Sequence, residues 1–373
     1  MSVQVSYKKQ IVFYALLLII VLIAFEMMSQ GIAKPHVYDG CVNRLEGSGI
    51  YPTVSKSDLK ELCKNYYETN VFMSDDRSII IQFPSQYSKS VNINSIGLRG
   101  PEIEHKQLDV TRILMLGGST TFGWYALDDN GTIPHYLQKK LNQDQKKFEV
   151  INAGHLSAAS AFETKFLKEN LNLEPDIVIV YDGHNDMTTP LSIDTPESKM
   201  QLQMLFKHVD SIFYSPRLVE KILHEIESNI LLQTQNKTNA ATVDYAEEDY
   251  VKRADRWEEN WSKTCDELAS KDLKIIIFLQ PILGSDNKDM TNYQTRAMHE
   301  GSMKILDHYY LFKEKIPKIN EHCTNVVDIS NVFHDVDVPV FADPMHTGNY
   351  GNEIVADRIY EKILPIVLDD LSK

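Results

Sequence analysis

The serine of a glycine-rich turn is the first residue of this sequence that could do nucleophilic chemistry. In the stretch LMLGGSTTFGW, from Leu114 to Trp124, an apolar and strand-like run ends in two glycines and a serine. Ser119 would stand at the carboxyl edge of a sheet, where a hydroxyl is accessible. A Gly-Gly-Ser turn is also common in plain loops, so Ser119 is interpreted as a nucleophile only if other residues could act with it.

Two other functions of such a turn fit the sequence poorly. A phosphate-binding loop ends in Gly-Lys-Ser/Thr, and no lysine follows here. The Gly-x-Ser-x-Gly elbow of α/β-hydrolases needs a second glycine where Thr121 stands. Neither phosphate binding nor that type of elbow is predicted.

Two later strand ends carry groups that could stabilise a developing negative charge. Gly154 ends Asn152-Ala153-Gly154, and a glycine there lets a ligand approach and leaves an N–H to donate. Asn185 lies in Gly183-His184-Asn185-Asp186, and its amide is a neutral donor that could bond an oxyanion. Both patterns also occur in ordinary turns.

A candidate base lies near the C-terminus, in Asp343-Pro344-Met345-His346, just before the final helical segment. Histidine is the side chain best suited to take and return a proton near neutral pH. Asp343, three residues earlier, could bond the other ring nitrogen and fix the tautomer. Ser119, His346 and Asp343 are therefore the predicted catalytic residues.

The elements that must position these residues alternate regularly after residue 110. Short apolar runs alternate with segments of helical spacing, which predicts an α/β fold with a doubly wound sheet of about five parallel strands covered on both faces. Ligands of such sheets bind at the carboxyl ends of the strands. The predicted strands are Ile113–Leu116, Phe148–Asn152, Asp176–Tyr181, Lys274–Leu279 and Val326–Ile329, and the predicted helices are Thr132–Leu141, Ala159–Leu171, Ala254–Ala269, Tyr293–Phe312 and Asn349–Leu371.

In order and in strand context, Ser119, Gly154, Asn185 and His346 resemble the four blocks of the SGNH or GDSL hydrolases, a family of esterases and lipases on a flavodoxin-like sheet. The resemblance runs from about Asn94 to the C-terminus, and GHND and DPMH are its most specific parts. It implies an acyl-enzyme on Ser119 and an oxyanion hole formed by Ser119, Gly154 and Asn185.

The sequence departs from the family pattern at two positions. Gly118 stands where an aspartate usually precedes the serine, and His155 follows the block-two glycine. Upstream, NSIGLRG places Arg99 in a tight turn, where it could be either an anion ligand or a structural arginine.

The N-terminus predicts a membrane segment. Residues 11–33 are largely apolar and follow Lys8 and Lys9, which favours a transmembrane anchor with residues 1–10 in the cytoplasm and the remainder exported. A cleaved signal peptide, with small residues at Gly31 to Ala33, is the alternative. Either interpretation places the catalytic domain outside the cell or in an exported compartment.

Cysteine usage agrees with export, because disulfides persist in oxidising compartments. Of the possible pairings, Cys41–Cys63 and Cys265–Cys323 are the predicted disulfides, and four buried thiols are the alternative. The spacing is not that of a zinc site, and no metal or cofactor is expected.

The remaining organisation is predicted as an irregular cap or stalk over residues 34–110 and a hydrolase domain over 111–373, with a helical insertion at about 189–248. A net charge of −14 argues against nucleic-acid binding.

The leading functional hypothesis is an extracytoplasmic serine esterase acting on an acylated glycan, lipid or small ester. An O-acyltransferase that uses the same site on a surface polysaccharide is the second hypothesis. A catalytically silent glycan-binding module is the third. The oligomeric state is not predicted.

Overall fold

The structure is a computed structural model of the chain. Its contacts form two compact units, Met1–Val37 with Asp194–Asp244, and Tyr38–Ile193 with Tyr245–Lys373. The second unit holds the sheet and the candidate site residues, whereas the first lies almost entirely outside the described residues. The described residues are 36–73, 80–143, 147–189, 247–286 and 300–371, with scattered positions within 7–21 and 290–298.

Helices and strands alternate along most of the described chain. In order, they are α1 (His36–Ser48), α2 (Lys56–Glu68), β1 (Val71–Met73), β2 (Ile80–Gln82), β3 (Gln86–Tyr87), β4 (Asn92–Ile93), β5 (Thr111–Gly117), α3 (Ser119–Phe122), α4 (Ile133–Leu141), β6 (Phe148–Gly154), α5 (Ser160–Glu169), β7 (Ile177–Asp182), α6 (His184–Thr188), α7 (Glu247–Leu268), β8 (Lys274–Leu279), α8 (Glu300–Asp307), α9 (Tyr309–Ile319), β9 (Asn325–Asp328) and α10 (Asn349–Leu371).

The central sheet has five strands in the order β6-β5-β7-β8-β9, and every neighbouring pair is parallel. This agrees with the predicted doubly wound sheet, and the order is that of flavodoxin-like folds. In such a sheet the connections from the first strand diverge, which opens a crevice at the carboxyl ends of β5 and β7. Ser119 follows β5 and Asn185 follows β7.

Both faces of the sheet are buried, which explains the unbroken apolar runs. Successive side chains of a strand point to opposite faces. Val178 packs in the cluster that contains Trp257 and Trp261 of α7, whereas its neighbour Ile177 packs in the cluster that contains residues of α4 and α10.

The outer edge of β6 is covered by polar groups. The Phe148 N–H donates to Asn142 Oδ1 at 2.8 Å, and the Val150 N–H donates to Gln138 Oε1 at 2.7 Å. Further along the strand, Asn152 forms an antiparallel bridge with Arg99. These contacts satisfy backbone groups that an edge strand would otherwise expose.

The segment predicted as an irregular cap contains regular structure. It holds α1, α2 and the two short hairpins β1-β2 and β3-β4. α1 and α2 pack in a third apolar cluster together with Phe122, Tyr125 and Ala342. Ala342 directly precedes Asp343, so this N-terminal segment lies against the loop that carries a predicted catalytic residue.

Both predicted disulfides are confirmed. Cys41 in α1 is bonded to Cys63 in α2, and Cys265 in α7 is bonded to Cys323, just before β9. All four cysteines of the chain are thereby paired.

The predicted transmembrane anchor over residues 11–33 is contradicted, and with it the single-pass membrane location. Within the part of the chain that is described, no helix has both the length and the apolar character needed to cross a bilayer. The uninterrupted apolar run ends at Phe25 and is followed by Glu26. It is therefore shorter than the ~20 residues that a spanning helix needs. The predicted insertion at 189–248 lies almost wholly outside the described residues.

Candidate active site

The structure brings Ser119, His346 and Asp343 into one hydrogen-bonded line. Ser119 Oγ lies 2.7 Å from His346 Nε2, although 227 positions separate the two residues. On the other side of the ring, His346 Nδ1 lies 2.8 Å and 2.9 Å from the two carboxylate oxygens of Asp343. This is the nucleophile, base and orienting acid arrangement of a catalytic triad.

Local backbone contacts hold Asp343 in place. The N–H groups of Met345 and His346 donate to Asp343 Oδ1 at 3.1 Å and 2.9 Å, which makes a tight turn of the DPMH motif. Burial alone would raise the pKa of Asp343. The charge of His346 and these hydrogen bonds outweigh burial and hold the pKa of Asp343 well below its ordinary value. The carboxylate therefore stays charged and can bond a ring N–H.

Asn185 lies at the start of α6, beside the backbone that precedes the nucleophile. Its Nδ2 donates to the Ala158 carbonyl at 2.6 Å. A Cβ added to Gly118 would lie only 2.2 Å from the same nitrogen. An amide nitrogen carries two hydrogens, so one remains for a substrate oxygen. The glycine at position 118 is what lets the amide come this close to Ser119.

Gly154, the last residue of β6, packs directly against the backbone of α3. A Cβ at this position would lie 2.1 Å from Phe122 N, so the end of β6 packs directly on the backbone of α3. Its N–H donates to Asn152 Oδ1 at 3.0 Å. Gly154 therefore permits close packing against α3, and its N–H, one of the predicted oxyanion donors, is bonded to Asn152 Oδ1 in this structure.

Arg99 has structural partners on every side of its guanidinium. It is 3% exposed, and its Nε donates to Asp129 Oδ1 at 2.8 Å. Its Nη1 donates to the carbonyls of Phe122 and Gly123 at the end of α3, and its Nη2 donates to Ser90 O. Of the two interpretations of Arg99, the structural one fits these contacts.

Three further residues also face the triad: Arg44 and Tyr125, which lie outside the quoted motifs, and His184, which lies within GHND but was given no role. Arg44 Nη1 donates to Asp343 Oδ2 at 3.4 Å and to the Tyr125 hydroxyl at 3.0 Å. The Tyr125 ring stands edge-on to His346, with centroids 5.6 Å apart. His184 hydrogen-bonds the Asn185 side chain. Arg44 lies far outside the motif blocks, and no pattern around it signals this contact.

Two buried histidines are neutral. Burial lowers the pKa of His155 to about 4. Burial, with the neighbouring His346, likewise lowers the pKa of His184 to about 4. His155 contacts the Ala153 carbonyl through Nδ1 and packs on Phe162 and Phe166, so its role is structural.

No group of three or more His, Cys, Asp or Glu side chains among the described residues is arranged to hold a metal ion. A surface cavity of about 650 Å³ lies beside β6 and is lined by Asn92, Gln138 and Glu149 among others. None of the triad residues lines it.

Comparisons with known proteins find similarity among solved structures. No protein-family model and no curated protein matches the chain. A lipase/acylhydrolase from Enterococcus faecalis is 17% identical, with a TM-score of 0.40, covering 68% of this chain and 95% of that one. The psychrotrophic esterase EstA from Pseudoalteromonas sp. is 13% identical, with a TM-score of 0.40 and coverages of 69% and 98%. The acetyl xylan esterase AlAXEase is 14% identical, with a TM-score of 0.38 and coverages of 68% and 99%. These values are too low to assign an activity.

Proposed function

We propose that this chain is a serine esterase that hydrolyses a carboxylic ester through an acyl-enzyme on Ser119. The observation that carries the proposal is the 2.7 Å contact between Ser119 Oγ and His346 Nε2, with Asp343 bonded to the opposite ring nitrogen. A base within hydrogen-bond reach of a hydroxyl, and itself oriented by a third group, is the requirement for activating a serine.

In the first half of the reaction, Ser119 Oγ attacks the ester carbonyl carbon and His346 Nε2 takes the hydroxyl proton. The charged Asp343 holds the other ring N–H and stabilises the imidazolium. Collapse of the tetrahedral intermediate breaks the bond to the alcohol oxygen, which leaves with the proton from His346. Water then attacks the acyl-enzyme, His346 accepts its proton, and the acid is released as Ser119 regains its hydrogen.

Two groups support the proposal that the oxyanion is stabilised. The Ser119 N–H is at the first position of α3 and has no partner within that helix. The second group is the amide of Asn185. A donor aimed at developing charge lowers the barrier by about 2.7–4 kcal/mol, so these two would supply a substantial part of the rate enhancement.

The two disulfides favour the interpretation that the chain folds in an oxidising compartment, because reducing compartments keep cysteines as free thiols. We therefore extend the proposal to an extracytoplasmic esterase whose substrate is an acyl ester of a glycan, a lipid or a small alcohol.

The test uses p-nitrophenyl acetate and a fluorophosphonate probe on the full chain. Ser119→Ala should abolish both hydrolysis and labelling while leaving the thermal midpoint nearly unchanged. Ser57→Ala, at an exposed position of α2, is the matched control and should retain both. Labelling that persists in Ser119→Ala would exclude this nucleophile. A wild-type protein that is neither labelled nor active would favour the silent glycan-binding hypothesis.

A further inference from the structure

Arg44 reaches the triad from outside every catalytic motif of the sequence. It lies on α1, 299 positions before Asp343, and its Nη1 contacts Asp343 Oδ2 at 3.4 Å. The same nitrogen donates to the Tyr125 hydroxyl at 3.0 Å, and the Tyr125 ring packs edge-on against His346. One guanidinium therefore contacts both the Asp343 carboxylate and Tyr125, the aromatic residue that packs against His346.

The position of α1 is fixed by covalent and apolar contacts. Cys41, one helical turn before Arg44, is disulfide-bonded to Cys63 of α2. Leu45, directly after Arg44, is buried in the cluster that also contains Ala342. Because Ala342 adjoins Asp343, the packing of α1 sets where Arg44 meets the carboxylate.

The charge of Arg44 acts on the same carboxylate that His346 uses. An imidazolium forms on His346 during attack, and Asp343 stabilises it. A second cation on Asp343 weakens this stabilisation, so a neighbouring guanidinium disfavours protonation of the ring before substrate arrives. The Arg44 side chain is 48% exposed, against 10% for Asp343, so water screens part of this effect.

We propose that Arg44 is a positioning residue of the candidate active site, holding the Asp343 carboxylate against His346 and keeping the imidazole unprotonated to lower pH. The proposal rests on the esterase function and adds to it a contribution from the N-terminal segment. On this proposal α1 contributes a side chain to the candidate active site in addition to packing beside it.

The other titratable groups facing the Asp343–His346 pair in the described chain are neutral. Tyr125 comes from the turn after α3, and burial together with the charge of Asp343 raises the pKa of Tyr125 to about 12. His184 comes from α6, and its lowered pKa keeps it uncharged over the range in which an imidazole titrates. Arg44 is therefore the positive charge to remove.

The experiment compares Arg44→Gln and Arg44→Lys with wild type in the full chain. The readouts are the pH profile of kcat/KM for p-nitrophenyl acetate and the NMR titration of the His346 ring. Arg44→Gln should move the acid limb and the ring titration midpoint up by about 0.5–1 pH unit. Removal of Arg44 strengthens the stabilisation of the imidazolium but loosens the orientation of Asp343, and the looser orientation should prevail and lower kcat about 3- to 10-fold. Arg44→Lys retains the charge and should restore most of the wild-type profile.

Lys56→Gln is the control, because it removes a charge from the same segment at an exposed pair with Glu46. It should leave both readouts unchanged. Superimposable pH profiles and ring titrations for Arg44→Gln and wild type would overturn the proposal. If wild type neither hydrolyses the ester nor reacts with a fluorophosphonate, the esterase function fails. The NMR comparison still decides in that case whether Arg44 acts on His346.

Discussion

The amide of Asn185 is the side chain whose removal should separate chemistry from binding most cleanly. If it donates to the oxyanion, Asn185→Ala should lower kcat by about 100- to 1000-fold with little change in KM. Steady-state kinetics on a short-chain aryl ester measure both parameters. Asn331→Ala, at an exposed turn, is the control for loss of an amide and should have wild-type kinetics. A change confined to KM would show that Asn185 only helps to bind the substrate.

Gly118 should be coupled to Asn185, because a Cβ at position 118 would lie 2.2 Å from the amide nitrogen. The Asn185 side chain can swing away at small cost in stability, so Gly118→Ala should lose activity while keeping its thermal midpoint. In a double-mutant cycle with Asn185→Ala, the two losses in kcat should overlap rather than add. Additive losses would mean that Gly118 acts by another route.

At this scale the sequence predicted the residues whose chemistry is local. Ser119, Asn185, Asp343 and His346 were found from strand ends and short spacings, and the structure brings them together. The contacts of Arg44 with Asp343 and of Gly154 N–H with Asn152 Oδ1 could not be predicted. The first depends on how distant segments pack, and the second depends on the rotamer of one side chain.

Among the elements, the two disulfides should differ in what their removal affects. The loops they close span 22 and 58 residues, so loop entropy predicts losses of about 3 and about 4 kcal/mol in unfolding free energy. The pair Cys41→Ser and Cys63→Ser should cost less stability yet more activity, because α1 carries Arg44. Urea unfolding and ester turnover on both double variants test this. Equal activity in the two would separate α1 from catalysis.

The sequence predicted the sheet strands well because their apolar runs are long and buried on both faces. It missed α1 and α2, whose apolar residues are interrupted by charged and polar ones. The Ser55 hydroxyl, which accepts from Asp58 N at 3.2 Å, was a readable start signal for α2. The predicted helix Tyr293–Phe312 is divided at His308, between the end of α8 and the start of α9. The sequence did not reveal this break because the apolar spacing continues across it.

For the molecule as a whole, the buried acid at the end of β7 should make stability depend on pH. Asp182 accepts hydrogen bonds from the Trp257 and Trp261 indoles of α7 at 3.1 Å and 2.9 Å. Burial and the nearby Asp186 raise the pKa of Asp182 to about 7, from 3.8. The folded state therefore holds a proton that the unfolded state releases, and the stability this confers is lost as pH rises through about 7.

His155 and His184 act in the opposite direction at lower pH. Their folded pKa values of about 4 lie below the ordinary 6.5, so their contribution rises with pH only up to about 6.5. Between pH 6.5 and 8 the carboxyl effect should remain, with a loss of about 1 kcal/mol in unfolding free energy. Asp182→Asn keeps an acceptor for the indoles and should flatten this decline in urea titrations. The exposed Asp335→Asn should not.

The covering of β6 bears on how this protein behaves in a crowded solution. Where Asn142 and Gln138 accept hydrogen bonds from its backbone N–H groups, β6 cannot pair with a strand of another molecule. Replacing Asn142 and Gln138 by alanine would leave Ser119 and its partners unchanged. It would expose backbone N–H groups of β6, with which a strand of a second molecule could pair. Two carboxamides remote from the triad thus protect part of this edge from pairing with another strand.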